Sequence, residues 1–189
     1  MNWDTAAEHF LKELSSNHPT PGGGAAAAMA GAMGCALAMM AVSTTLKRKA
    51  TAQEIRPKLE NSLQQLQTFE DSFQVLMKKD ATAYEGYLAA YKLPKEEPQR
   101  ASLLEESLWT AATVPTDIAA TAVRCWQEIK EVQDIVAAVI QSDIQCAQYF
   151  LQTTIRCAVE NMRANSVLMK DEHKKTILQK QIDDFLNFR

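Results

Sequence analysis

Two aspartates and a glycine-rich turn are the groups in this chain best suited to chemistry. Asp80, Tyr84, Tyr87 and Tyr91 recur at i, i+4, i+7 and i+11, so they share one face of a helix. A carboxylate beside a tyrosine on a partly buried stripe suits acid–base work. The plainer reading is a solvated aspartate near the end of an amphipathic helix. Asp143, next to Ser142, is the sole charge between Ile135 and Thr153. A lone carboxylate in so apolar a stretch either lies on a thin polar stripe or is buried for a purpose. Asn161 falls on the same stripe five turns later, with Asn165 a further turn along. A solvated helix end beside Glu160 and Arg163 accounts for the two amides equally well. On a straight helix Asp143 and Asn161 stand about 27 Å apart. One small ligand does not react at both, so a shared site calls for a second subunit or a bent helix.

The turn Pro19-Thr20-Pro21-Gly22-Gly23-Gly24 exposes backbone N–H groups just ahead of a helix N-terminus, whose dipole favours an anion. It lacks the Gly-Lys-Ser/Thr ending and the preceding strand of a nucleotide loop, and a helix-breaking linker has the same composition. Nucleophilic chemistry has little support. There is no Gly-x-Ser-x-Gly elbow, and Cys35, Cys125, Cys146 and Cys157 each read as a buried thiol. His18, near the glycine-rich turn, reads as a solvated loop residue. Four cysteines without a CxxC pair and three scattered histidines make no metal site.

The elements that must hold these groups are helical throughout. No stretch alternates β-branched and polar residues between turn signals. The pattern predicts an amphipathic helix over Trp3 to Ser15, then a second from Gly24 to Lys49 built almost wholly of Ala, Gly and Met. Small side chains let other backbones approach, so this helix belongs at the centre of a bundle or against a symmetry mate. It ends on Lys47-Arg48-Lys49, cations that suit a helix C-terminus. A long helix follows from Ala52 to Tyr91 with Pro57 in its first turn. Further helices are expected over Gln99 to Thr113, Thr116 to Val132 (restarted by Pro115), Ile135 to Asn165 and Lys170 to Phe188. The expectation is all-α: one domain, residues 1–189, a bundle of six or seven helices around the Ala/Gly-rich one.

Composition sets outer bounds. The chain has 189 residues, with 20 Lys and Arg against 23 Asp and Glu, for a net charge of −3. That balance opposes non-specific nucleic-acid binding. Gly22 to Val42 carries no charge, yet its Ala, Gly and Met are weakly hydrophobic for a membrane span, so a buried helix is expected and no membrane. No signal peptide is visible at Met1 to Glu13, and free thiols point to the cytoplasm.

Taken together and in order, these stretches resemble the cyclodeaminase/cyclohydrolase family of folate enzymes. The resemblance runs from Pro19-Thr20-Pro21-Gly22-Gly23-Gly24 and the helix after it, through Asp80-Ala81-Thr82-Ala83-Tyr84, Tyr91-Lys92-Leu93-Pro94-Lys95, Val114-Pro115 and Ser142-Asp143, to Asn161-Met162-Arg163-Ala164-Asn165. It implies a homodimer with a folate tunnel at the subunit interface, and no cofactor beyond a tetrahydrofolate derivative as substrate. It implies Asp80 and Asp143 as the acid–base pair. Pro21, Gly22, Gly23, Gly24, Tyr84, Ser142, Asn161 and Asn165 would hold the ligand, and Lys47 would meet its glutamate tail. The implied reaction is cyclodeamination of formiminotetrahydrofolate to methenyltetrahydrofolate and ammonia. Hydrolysis of methenyltetrahydrofolate uses the same bridge carbon and is the alternative. Three departures from the family pattern point to another: Ala25 for a serine, Lys47 for a glycine, and Val136-Ala137 for a Gly-Asn pair. A non-catalytic folate-binding or scaffolding dimer would tolerate all three.

Overall fold

A computed structural model describes residues 2–188 of the chain. They form six α-helices: α1 (Trp3–Leu14), α2 (Gly23–Lys47), α3 (Arg56–Tyr91), α4 (Arg100–Val132), α5 (Gln141–Leu168) and α6 (Glu172–Leu186). The described residues contain no strand. Single 3₁₀ turns, Gln53–Ile55 and Ala138–Ile140, precede α3 and α5.

Helix α2 lies at the centre, packed by α3, α4 and α5. It is long and apolar enough to cross a bilayer by length and composition, but 56% of its most apolar window is buried inside the bundle. Its small residues permit that crowding. A Cβ on Gly31 would stand 2.5 Å from the Phe73 ring of α3, and one on Gly34 would stand 3.1 Å from the Ala147 carbonyl of α5. Toward α4, the buried Cys35 and Cys125 thiols meet at 3.1 Å. Their mutual hydrogen bond, then burial, pushes the Cys125 thiol well above its ordinary pKa and keeps it un-ionised. Cys146 and Cys157, expected to be buried, are exposed on α5. A smaller cluster of Leu108, Ala112, Val159, Met162, Met169, Leu178 and Ile182 seats α6 on α4 and α5.

Two boundaries differ from expectation, each for a local reason. Pro115 does not restart a helix; it lies inside the continuous α4. A proline in mid-helix leaves the carbonyl four residues back without its donor. That carbonyl belongs to Ala111, and Asn165 Nδ2 of α5 donates to it at 2.8 Å. The interruption is therefore bridged from a neighbouring helix. The second difference is at Ile135, where a helix was expected to run unbroken to Asn165. Instead the chain turns after Val132, and α5 begins at Gln141. Gln141 Nε2 donates to the carbonyls of Gln133 and Val136, and the Ala137 N–H donates to Thr45 Oγ1. Side-chain bonds hold this joint without glycine.

The bridging role of Asn165 has a direct test. Asn165→Ala leaves the Ala111 carbonyl without a donor, at a cost of about 1–3 kcal/mol. In a Pro115→Ala background the helix supplies its own N–H to Ala111, and the same substitution should cost much less. Chemical denaturation of the four proteins of this cycle measures the difference. Equal costs in the two backgrounds would remove the proline from the explanation.

Candidate active site

The N-terminus of α2 carries no cap of its own, because Gly22 has no side chain to supply one. The acceptor comes from another helix. Asp80, in the middle of α3, accepts a hydrogen bond from the Ala25 N–H through Oδ2 at 3.0 Å. The approach is close: a Cβ on Gly24 would overlap the Asp80 carboxylate, so any other residue there would push that side chain aside. Gly23 faces the other way. A Cβ on it would stand 3.0 Å from Asn161 Oδ1 and 3.1 Å from Nδ2, on α5. The glycine-rich turn thus lets one backbone segment fit between the carboxylate of α3 and the amide of α5.

Asp80 is half-buried, and burial raises its pKa above the ordinary carboxylate range; the Ala25 N–H bond offsets part of that rise. A carboxyl whose proton is held more tightly than usual suits a general acid. One turn on, Tyr84 is 38% exposed and begins a run of neighbouring rings, with Tyr84–Tyr87 and Tyr87–Tyr91 centroids 6.2 and 6.0 Å apart. Asn161 donates Nδ2 to the Cys157 carbonyl at 2.8 Å, leaving Oδ1 as a free acceptor beside Gly23.

The remaining predicted residues divide by distance. Pro21, Gly22, Gly23, Gly24, Asp80, Tyr84 and Asn161 gather at one end of α2. Asn165 is one turn past Asn161, but its amide N–H is committed to Ala111. Lys47 closes the opposite end of α2, about 36 Å away along the helix axis. Helix α5 runs antiparallel to α2, with Asn161 level with Gly23 and Ala147 level with Gly34. Asp143 therefore lies about 22 Å from Asp80 along that axis. It occupies the first turn of α5, where the helix dipole favours a carboxylate, and is half-buried beside exposed Ser142. Within one chain the two groups of candidate residues therefore lie toward opposite ends of α2.

Hollows of about 600 Å³ between α3 and α4 and about 480 Å³ under the C-terminal helix are lined by other residues, among them Lys79 and Asp117 in the first and Trp126 and Arg156 in the second. The residues that sequence reasoning passed over are the partners: the Ala25 N–H that holds Asp80, and the proline that claims Asn165. The proline was visible as a break, but its remedy lies 50 positions away in the chain.

The chain is similar to several known proteins. The family model described as Formiminotransferase-cyclodeaminase matches residues 6–184. A formimidoyltransferase-cyclodeaminase of Sus scrofa is 32% identical over 187 residues, 94% of this chain but 33% of that protein. The chain thus spans about a third of the length of such relatives. A methenyltetrahydrofolate cyclohydrolase of Methylorubrum extorquens is 32% identical over 179 residues, 90% of this chain and 84% of that protein. The fold is shared with a solved formiminotetrahydrofolate cyclodeaminase of Thermotoga maritima, at TM-score 0.84 and 24% identity over 98% of this chain and 88% of that one.

Proposed function

The chain belongs to the formiminotransferase-cyclodeaminase family, and from that premise we propose that it is a folate one-carbon enzyme, a formiminotetrahydrofolate cyclodeaminase working as a homodimer. The observation that carries the reading is Asp80: a carboxyl with raised pKa, held at a helix N-terminus by a backbone N–H that it approaches across the bare glycine at position 24. In cyclodeamination, N10 attacks the formimino carbon on N5. N10 loses its proton, the former imino nitrogen gains protons, and the C–N bond breaks to release ammonia. Asp80 is the acid that protonates the leaving nitrogen, and Asp143 of a second copy takes the N10 proton. Gly22, Gly23 and the Asn161 Oδ1 line the pterin's approach, and Tyr84 closes it from α3.

The exposed side of α2 supports the second copy. Met33 and Met40 are 42% and 44% exposed, Ala36 lies open between them, and no charge interrupts the stripe. Such a face on a helix otherwise buried suits a self-complementary twofold contact. Antiparallel pairing also sets the two helix dipoles favourably. It carries the Asp143 and Lys47 end of each copy toward the Asp80 end of the other. That joins the separated groups of candidate residues into two shared sites, with Lys47 placed for the acidic tail of the substrate.

The three departures do not undo the site. The bond to Asp80 uses the Ala25 N–H, which any residue but proline supplies. Ala137 still donates its N–H to Thr45. Lys47 is exposed and displaces nothing from the core. The free thiols fit a reducing compartment such as the cytoplasm.

Methenyltetrahydrofolate hydrolysis is the second reading, favoured by the bacterial cyclohydrolase that this chain matches over most of its length. Absorbance at the methenyltetrahydrofolate band decides between them. We expect the band to grow when 5-formiminotetrahydrofolate is supplied, with ammonia released in equal amount. Faster loss of the band from supplied methenyltetrahydrofolate would make the protein a cyclohydrolase. Measurable folate binding with neither change would make it a non-catalytic dimer.

A further inference from the structure

Helix α1 has almost no partner within its own chain. Its Phe10, Leu11 and Leu14 share one side, yet none of them joins either hydrophobic cluster, and Leu11 is 62% exposed. A 12-residue helix is marginal in water on its own, so its stability must come from something it packs on. Asp4 and Glu8 form an acidic stripe one turn apart beside that apolar side.

We propose that α1 is an arm that docks on a second copy of this chain. Its apolar side lies across the exposed end of that copy's α2, and Asp4 and Glu8 face that copy's Arg48 and Lys49, leaving Lys47 to the substrate. Charge separates this from closure on its own chain. The stretch of α2 nearest α1, Gly22 to Val42, carries no charge, so an arm folded back along it would find no cation on α2, and Lys12 of α1 itself, one turn from Glu8, would be the cation left to the pair. The chain's own basic cluster sits at the far end of α2, about 36 Å away; α1 is about 18 Å long, so reaching it would require the turn-rich link after Leu14 to run largely extended. Antiparallel pairing brings the other copy's basic cluster to the end of α2 where α1 is attached. The link from Ser15 to Gly22 spans at most about 26 Å, ample for that short reach. Both ends of the link are then fixed, one by the docked arm and one by the Asp80 contact. The arm so holds the glycine-rich turn in place between them.

The proposal rests on the antiparallel dimer argued above, and the experiment separates the two. Sedimentation velocity of the full chain over a dilution series gives the dimer dissociation constant. Wild type should be dimeric. Leu11→Asp should raise the constant tenfold or more while far-UV circular dichroism shows the bundle intact. Glu8→Lys should weaken the dimer several-fold at low salt, and Glu8→Lys combined with Lys49→Glu should restore it. Met33→Asp, on the α2 face itself, should give monomers. A wild-type dimer unmoved by Leu11→Asp would overturn the arm and leave the dimer standing. A wild-type monomer at every concentration would overturn both. A melting temperature lowered by Leu11→Asp with no change in association would mean that the arm closes on its own chain, and the proposal would fall.

Discussion

Asp80→Asn should lower turnover of formiminotetrahydrofolate by about 100-fold or more, the scale of a lost acid–base group, while making the protein more stable at neutral and alkaline pH. The two effects have one cause. Burial raises the Asp80 pKa in the folded chain, so the folded state binds its proton more tightly than the unfolded state does. The group's stabilising contribution is then fully present at low pH, below the unfolded carboxylate pKa. It is lost as pH rises through the raised folded pKa. At neutral pH the ionised carboxylate is a burden on the fold. Asparagine has the same shape and still accepts the Ala25 N–H, but it cannot ionise. Thermal melts of the two proteins should therefore coincide in acid and separate above the ordinary carboxylate range, the variant melting higher. A merely capping aspartate predicts otherwise: stability falls with substitution, and activity follows only through unfolding. A lower melting point for Asp80→Asn at pH 8, with proportionate activity, would reduce Asp80 to a helix cap.

Why Asp80 was legible and its setting was not follows from range. The stripe of Asp80, Tyr84, Tyr87 and Tyr91 is a local pattern, set by 3.6 residues per turn, and it survives into the structure. The small-residue helix was legible for the same reason: its composition alone requires close neighbours, and Gly31 and Gly34 have them. Contacts across the chain leave no such local trace. Nothing in the residues around position 80 says that Ala25 will donate to it from 55 positions away. The reading of Pro115 failed in the same way. A mid-helix proline is normally a boundary because its carbonyl partner is orphaned, and the rule lapses when a side chain from another helix fills the gap. At the turn before α5, the Gln141 side chain holds a break where the sequence pattern predicts an unbroken helix. That turn's register is set by three-dimensional bonding that periodicity does not encode.

The position of Asp143 shows the same limit at the next level. The sequence already separates it from Asn161 by five turns, and the structure turns that count into a separation from Asp80, because Asn161 and Asp80 flank the same two glycines. One chain cannot bring the two aspartates to one bridge carbon without a rearrangement of its central helix. The apolar stripe on α2 offers a cheaper route through a second copy, and complementation distinguishes the routes. Asp80→Asn and Asp143→Asn should each lower activity by about 100-fold or more as pure dimers. Unfolded and refolded together, or co-expressed with different tags, they should regain activity. With random pairing about half of the dimers are mixed, and each mixed dimer has one site with both mutations and one with neither. Roughly a quarter of wild-type activity should therefore return. If both aspartates of a site came from the same chain, every site in the mixture would lack one of them, and no activity would return at any ratio. The mixed dimer isolated by its two tags sharpens the test: it should show about half the wild-type turnover per dimer with an unchanged KM, since its one intact site is complete.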